Sequence, residues 1–597
     1  MAYLFQIPRG AAFLAGLVIA ILLAPAGLAQ NVKVDFTPAP PAVIREAVIE
    51  ALPDDAPPET PLQARRQAKR SKAIVENTLN AFGYYAPLIS VSVGEIDGQA
   101  VPMLAVDSGP LFTIGRAEIN YRDDRARTED RAQLSDSLTV RPGQSAVPAE
   151  IIDAERVLGL KLRELGYPFG EVMDRDVIGD KDTATISVRY NVQSGPKVRF
   201  GAVQYPGGNI RTKASYLARL NPTESGRLYD PAKLALFNSR LAETRLFDKS
   251  LARLSPQPVS VSEGGDAIYD IILELEERPK NTIALGANYG TNEGFGVNAE
   301  LTRRNATRRG DLLIAEARLA EREIGANLIW RRPNELGYGK GLVLLATLKD
   351  ENTDAFDQQL AKFGAGIEVI QGPRLNYYFG VNAQYIREES PDRREDFQTL
   401  SAYAGIGIDQ SDSLLDPRKG WRAEGRIIPT YAFGGGNALP YARSVVQGRA
   451  YFPFGESARF VAAGRLRAGT LVGAAAEQVP ADARFYAGGG GSVRGYTYQA
   501  IGPFDEDANP LGGRSLLDGS VEGRWRYNDK IGMVGFLDFG NVSDAEYPEF
   551  DNLRIGAGIG ARYMTPAGPL RLDVGVPLNP SERDEKFQIY ISIGQSF

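Results

Sequence analysis

From about Asn281 to the C-terminal Phe597 the sequence loses helical spacing and breaks into strand-length segments, separated by turn residues and frequent glycines. Along each segment apolar residues alternate with polar or small ones. In Asp311 to Leu319, Leu313, Ala315, Ala317 and Leu319 share one face, and Glu316 and Arg318 lie on the other. Leu400, Ala402, Ala404, Ile406 and Ile408 alternate in the same way with Ser401, Tyr403, Gly405 and Gly407. About 315 residues divide into about sixteen such segments, near twenty residues each with their turns, which suits a membrane barrel of even strand count. A soluble β-sandwich also alternates, but its turns come every ~8–12 residues and its outward face is the polar one. Hydrocarbon offers no partner to an unpaired backbone group, so a sheet crossing it has to close on itself. The pattern predicts a C-terminal 16-stranded antiparallel transmembrane β-barrel over residues 280–597.

Composition narrows the chemistry. The 597-residue chain has no cysteine and no histidine. Thiolate and imidazole metal sites, Ser-His-Asp and Cys-His catalysis and disulfide frameworks each need one of those side chains. A net charge of −6 gives no reason to expect a nucleic-acid partner. Met1 to Ala29 reads as a signal peptide: Arg9 supplies the positive charge, "AAFLAGLVIAILLAPAG" the apolar run, and Gly27-Leu28-Ala29 the small-x-small cleavage site. An N-terminal membrane anchor is the alternative. No later run reaches the roughly 18–20 apolar residues of a spanning helix, so the mature chain is either soluble outside the cytoplasm or a membrane barrel.

Between the signal and the barrel one plan repeats with a period of roughly 80–85 residues, placing units at 30–109, 110–196 and 197–279. Each has an early helix, such as Ile44, Val48 and Leu52, and a second helix with one apolar face. Those faces are Val75, Leu79 and Phe82 before Gly83-Tyr84-Tyr85, Ile151, Leu158, Leu162 and Leu165 before Gly166-Tyr167, and Leu234, Phe237 and Leu241 before Leu246-Phe247. In the third, Asp230 is the expected cap and Pro231 the first helical residue. Alternating strands follow, such as Ile186, Val188, Tyr190 and Val192, or Tyr269, Ile271, Leu273 and Leu275, and they end on "SGP" (Ser108 to Pro110, Ser194 to Pro196) or "ERP" (Glu277 to Pro279). "LPDDAPPETPLQ", Leu52 to Gln63, reads as a loop. The order strand, helix, helix, strand, strand resembles the POTRA domain, an α+β module found in tandem ahead of outer-membrane barrels. Its exposed edge strands are expected to bind extended peptides by β-augmentation.

The stretch "FYAGGGGSVRGYTYQ", Phe485 to Gln499, invites comparison with a phosphate-binding loop. Gly490 to Gly495 has the G-x-x-x-x-G spacing, but Tyr496 stands where the lysine is required and no helix follows to supply an N-terminal dipole. There is no G-x-S-x-G elbow. "DEDANPLGGRSL" starts like a calcium loop, yet Pro510 replaces its glycine and Leu516 its bidentate glutamate, leaving an acidic solvated loop. Catalysis and a cofactor are not implied.

Together the loop "RFYAGGGGSVRGYTY", the downstream "GFLDFG" (Gly535 to Gly540), the terminal strand and the three POTRA-like units resemble the outer-membrane assembly superfamily of BamA and the two-partner transporters, most closely its TamA branch. The resemblance implies an insertase of the bacterial outer membrane with its POTRA domains in the periplasm. Its clients would be unfolded β-barrel and autotransporter proteins, and its partner a TamB-like protein anchored in the inner membrane. A general BamA-like factor, a two-partner secretion transporter and a passive porin are the alternatives. In that family the sixth extracellular loop, after the eleventh strand, folds back so that its tip binds the inner wall. Carried over, this makes Val493, Arg494, Gly495 and Tyr496 a lumen latch, with Asp538 as the expected partner of Arg494 and Glu522 as a second candidate. A guanidinium withdrawn from water needs carboxylates, and its fork suits bidentate contact. Gly488 to Gly491 is expected to let the backbone approach the wall with positive φ.

In "FQIYISIGQSF" Phe587, Ile589, Ile591 and Ile593 alternate with polar or small residues, and Phe597 ends the chain, resembling the C-terminal recognition signal of outer-membrane barrels. The barrel is expected to close weakly between this strand, where Gly594 costs pairing strength, and the first, around Ile283 to Tyr289. Client strands would pair with that opened edge.

Overall fold

A computed structural model describes residues 3–4, 32–96, 99–205, 210–290, 294–372, 374–390, 393–414, 416–434, 437–455, 458–565 and 568–593. Apart from Tyr3–Leu4, the signal-peptide segment lies outside the described residues. The chain divides into two compact units. One comprises Met1–Tyr205, Pro222–Ser239 and Leu251–Glu274, and the other Pro206–Asn221, Arg240–Ser250 and Leu275–Phe597.

After β1 (Tyr3–Leu4), the strand–helix–helix–strand–strand order occurs three times: β2 (Lys33–Phe36), α1 (Ala42–Ala51), α2 (Pro61–Ala81), β3 (Leu88–Ile96) and β4 (Gln99–Asp107); β5 (Thr113–Tyr121), α3 (Thr128–Asp136), α4 (Pro148–Glu164), β6 (Glu171–Asp180) and β7 (Thr185–Gln193); then β8 (Val198–Gln204), α5 (Ala214–Leu220), α6 (Pro231–Glu243), β9 (Phe247–Leu254) and β11 (Ala267–Glu277), with the short β10 (Ser260–Val261) between the last two. In each, the first strand lies parallel to the last: β2 with β4, β5 with β7, β8 with β11. These α/β domains resemble POTRA domains.

Local chemistry sets the boundaries. The loop expected over Leu52 to Gln63 is shorter than the sequence suggested, because α2 starts at Pro61. Thr60 and Gln63 form a reciprocal capping box, and Pro61 occupies a first-turn position where its missing N–H costs nothing. Val75 and Leu79 are buried, and the chain leaves the helix through Gly83 at φ +92°. Leu52, expected inside the first helix, is instead the residue after its end. In α4, Ile151, Leu158 and Leu162 face the core, and Gly166 at φ +95° ends the turn. Asp230 Oδ1 accepts the Ala232 N–H at 2.8 Å at the start of α6. The "SGP" turns need Gly109 and Gly195 at φ +67° and +63°. Asp123 holds the second of these turns, accepting the Ser194 hydroxyl at 2.5 Å and the Gly195 N–H at 2.9 Å. Burial raises the Asp123 pKa, but these hydrogen bonds outweigh it and hold the carboxyl below its usual range.

In the second unit sixteen strands, β12 (Asn281–Gly290) to β27 (Gln588–Ile593), close into an antiparallel barrel. Alternation sends Leu319, Leu348, Phe363, Leu400, Val446 and Ile559 outward, all exposed as a lipid-facing band requires. No helix among the described residues is long and apolar enough to cross a membrane. The turn between the second and third barrel strands is tied to the segment that precedes the barrel: Asn305 Nδ2 donates to Thr212 Oγ1 at 2.8 Å, and the Thr212 N–H donates to Glu277 Oε1 at 2.8 Å. Closure is uneven. β12 has ten registered pairs with β13 (Gly294–Arg304), but among the described residues only Tyr289–Ile591 and Gly290–Tyr590 with β27.

Candidate functional site

The segment 473–514 joins β22 (Phe460–Val472), the eleventh barrel strand, to β23 (Ser515–Arg526). It carries two short 3-10 turns and little other regular structure. Its apolar side chains hold it against the inner wall. Phe485, Val493, Tyr496 and Ile501 are buried in one cluster with Leu471 and Val542 of the barrel strands. Such burial contributes roughly 1.5–3 kcal/mol per large side chain.

Arg494 lies at the tip and is 2% exposed. Its fork meets Asp538 of β24 (Ile531–Ser543) with Nε 2.7 Å from Oδ2 and Nη2 2.9 Å from Oδ1, and its own backbone N–H donates to the same carboxylate at 3.0 Å. Nη1 is 2.8 Å from Glu522 Oε1 and 3.0 Å from Asp573 Oδ2, the latter on β26 (Gly568–Pro577). Nη2 also donates to Ser520 Oγ at 3.1 Å, and the guanidinium stacks on Phe536 with 3.5 Å from Cζ to the ring centre. One cation is therefore shared by carboxylates from three strands. Burial disfavours its charge, but the Asp538 hydrogen bond and the charges of Glu522, Asp538 and Asp573 outweigh this and hold its pKa above the ordinary guanidinium value.

Those carboxylates are not left with a net deficit of cations. Arg524 pairs with Glu522 at 2.8 Å, Arg571 with Asp573 at 3.2 Å, and Arg562 also pairs with Asp573. Beside them Ser492 donates to Asp518 at 2.8 Å, and Arg465 donates to the carbonyls of Gly491 and Ser492 at 2.9 and 3.0 Å. Such a network favours one arrangement, because losing a member takes the nearest counter-charge from a specific buried partner, as Asp538 would lose Arg494.

The glycines act differently from the expectation. Of Gly488 to Gly491, Gly488 and Gly489 have positive φ, +105° and +88°. A side chain on Gly488 would collide with the Thr497 carbonyl, so that glycine permits the loop to pass its own returning limb, not the barrel wall. Close approach to the wall occurs at Gly495, φ +100°, where an added Cβ would lie 2.7 Å from the Val576 carbonyl carbon. The wall is hollowed in turn. On β25 (Arg554–Thr565) a side chain at Gly556 would collide with the Arg494 carbonyl oxygen, and on β26 one at Gly575 would lie 2.9 Å from the Gly495 nitrogen. Val493 is fully buried, and the Tyr496 hydroxyl lies 2.6 Å from Asn579 Oδ1.

Of the residues expected at the seam, Phe587 precedes β27 and is exposed, while Gly594 and Phe597 lie outside the described residues. Tyr590, to which the sequence reading gave no role, sits at the join. Its Cα faces Gly290 across the seam, and its hydroxyl accepts the Gly495 N–H at 3.2 Å. Asp573, Ser520 and Phe536 also belong to the site, with no motif in the sequence to mark them. Asp573 and Ser520 stand at lumen-facing positions of alternating strands, a signal that marks a face but not a partner.

The sequence model described as the Omp85 superfamily domain matches residues 281–597. The outer membrane protein assembly factor BamA of Nitratidesulfovibrio vulgaris is 25% identical over 559 residues, covering 88% of this chain and 67% of that protein. BamA of Neisseria meningitidis serogroup B is 22% identical over 561 residues, covering 83% and 68%. The crystal structure of Haemophilus ducreyi BamA lacking POTRA domains 1–3 superposes with a TM-score of 0.67 at 19% identity, covering 81% of this chain and 100% of that one.

Proposed function

Because the chain belongs to the Omp85 superfamily, we propose that it is an outer-membrane assembly factor that inserts and folds other β-barrel proteins and catalyses no covalent reaction. The observation that carries this reading is the seam where the first and last strands meet: among the described residues, which reach Ile593 on β27, two registered pairs join β12 to β27 against ten between β12 and β13. An edge that opens in lipid exposes backbone groups costing several kcal/mol each, and an incoming client strand satisfies them by pairing. Client folding then supplies the free energy, and no nucleotide is needed. The α/β domains would stand in the periplasm and present edge strands to unfolded clients.

The wild-type chain has no cysteine, so Tyr289→Cys with Ile591→Cys places the only two thiols on facing residues. Oxidised protein in liposomes is expected to stop assembling barrel clients and to recover on reduction. Continued assembly by the locked protein overturns the reading.

The finer assignment is to the TamA branch, with autotransporter-type clients and a TamB-like inner-membrane-anchored partner. It rests on the three α/β domains and on the Val493-Arg494-Gly495-Tyr496 tip acting as a lumen latch. Depletion followed by comparison of outer-membrane proteomes separates the options. Loss of autotransporter-type proteins alone supports the TamA branch, loss of barrels generally favours a BamA-like general factor, and unchanged levels remove both.

A further inference from the structure

The loop does not stay on the side of the lumen from which it departs. Its second 3-10 turn (Ala481–Ala483) reaches β18 (Leu375–Ser390), on the part of the wall that carries no partner of Arg494. There the buried Glu388 accepts the backbone N–H of Ala481 at 2.7 Å through Oε2, and its Oε1 lies 3.5 Å from Arg484 Nη2. Arg484 in turn donates to the Val479 carbonyl from Nε and Nη2, at 3.3 and 3.1 Å, and to the Leu511 carbonyl from Nη1 at 3.1 Å. It thus ties the outgoing limb of the loop, where that limb meets β18, to the returning limb. Arg443 of β21 (Asn437–Phe454) lies over the Phe485 ring at 4.3 Å.

We infer that Glu388 is a second anchor of the loop, a positioning residue that fixes its outgoing limb independently of the Arg494 tip. A carboxylate with 8% of its residue exposed keeps its place only where donors offset its lost hydration. Glu388 meets one backbone donor and one guanidinium, both supplied by the loop. The partners of the two anchors do not overlap: Glu388 is on β18, whereas Ser520, Glu522, Asp538 and Asp573 are on β23, β24 and β26. The loop is therefore a strap with two feet, and each foot can lift without the other. This deepens the proposed assembly role by placing two separable controls on one loop, and only that functional consequence rests on the role itself.

The test uses the full chain in phospholipid vesicles and a water-soluble maleimide. Because the natural sequence lacks cysteine, Ala483→Cys reports on the Glu388 foot and, in a separate protein, Val493→Cys on the Arg494 foot. Both positions are buried, at 8% and 0% exposure. Glu388→Ala is expected to raise labelling at position 483 by about tenfold or more and to leave position 493 protected. Arg494→Ala is expected to do the converse. Glu388→Gln, which keeps an acceptor for the Ala481 N–H, should give a smaller rise at 483. Heat-modifiable gel mobility verifies that each barrel is folded, and Arg484→Gln repeats the test from the loop side should Glu388→Ala fail to fold. Protection of position 483 in folded Glu388→Ala, or in Arg484→Gln should Glu388→Ala not fold, or simultaneous exposure of both reporters by an anchor substitution at 388 or 484 or by Arg494→Ala, shows that the loop has a single anchor and overturns the inference. Labelling reads the anchor whatever the activity, so its failure is distinct from failure of the seam-locking experiment.

Discussion

The wall that receives Arg494 and the seam between β12 and β27 belong to one closed sheet, yet they are built to opposite ends. β23 and β24 share twelve registered pairs, and their lumen side carries a buried ionic network. The seam has two registered pairs among the described residues. Closing a sheet in lipid demands that edges be satisfied, but it does not demand that every join be equally strong. The two regions also touch. Tyr590 pairs across the seam through its backbone and holds the loop tip through its hydroxyl. Two equilibria that share a residue are linked, so loosening the tip changes the seam and the reverse.

Removing the cation should collapse the contrast most strongly. Arg494→Ala leaves the buried Asp538 without its ion-pair partner, and a loss of about 3–5 kcal/mol in barrel stability is expected from the unfolding midpoint in denaturant. A charge swap of Arg494 with Asp538 should recover only part of this, because the new carboxylate at position 494 would still face Glu522 and Asp573. An unchanged midpoint would show that the latch wall is no stronger than the seam.

Filling the hollow in the wall is the next largest perturbation. Gly556→Val drives a side chain into the Arg494 carbonyl and should cost about 1–3 kcal/mol. Gly535→Ala, where an added Cβ meets nothing within 4 Å, should change the midpoint by less than about 0.5 kcal/mol. Equal effects at the two glycines would mean that loop docking does not depend on the hollow.

Tyr590→Phe sharpens the link between the regions. It strands the Gly495 N–H at a cost of about 1–3 kcal/mol, and hydrogen exchange should quicken in β12 while β23 and β24 stay protected. Equal acceleration in all three strands would place the effect in the whole barrel instead.

The smallest effect lies in the α/β unit. The Asp123 pKa is depressed, so its contribution is present above the unfolded value, about 3.9, and is lost as pH falls through the folded value. Acid should therefore weaken the second α/β domain below about pH 4, and Asp123→Asn should flatten that dependence as followed by tyrosine fluorescence.

The sequence made the barrel legible because lipid imposes a period of two on every strand, and the Leu400 to Ile408 segment shows it without ambiguity. The α/β repeats were readable from helix faces such as Ile151, Leu158 and Leu162, since burial selects those positions one by one. The start of α2 was misplaced because the proline-rich composition of Leu52 to Gln63 concealed a capping box at its end. At the site, Arg494 was legible through the resemblance of its Val-Arg-Gly-Tyr tip to the assembly superfamily. Asp573, Glu388 and Tyr590 did not, because their roles come from distances across the lumen, with 79 residues separating Arg494 from Asp573 in the chain. The wall glycines were hidden for a related reason. Nothing in a strand sequence says which glycine is a hollow for something else.

Gly556, Gly558 and Gly560 occupy successive inward positions on β25. Gly556 lies under the Arg494 carbonyl, whereas Gly558 lies under Phe536 and Gly560 under Asp573 and Arg562, side chains of the barrel itself. The bare strip is therefore a shared seat: it makes room at one end for the loop tip and at the other for the side chains that grip it, so a bulkier residue anywhere along it would disturb both.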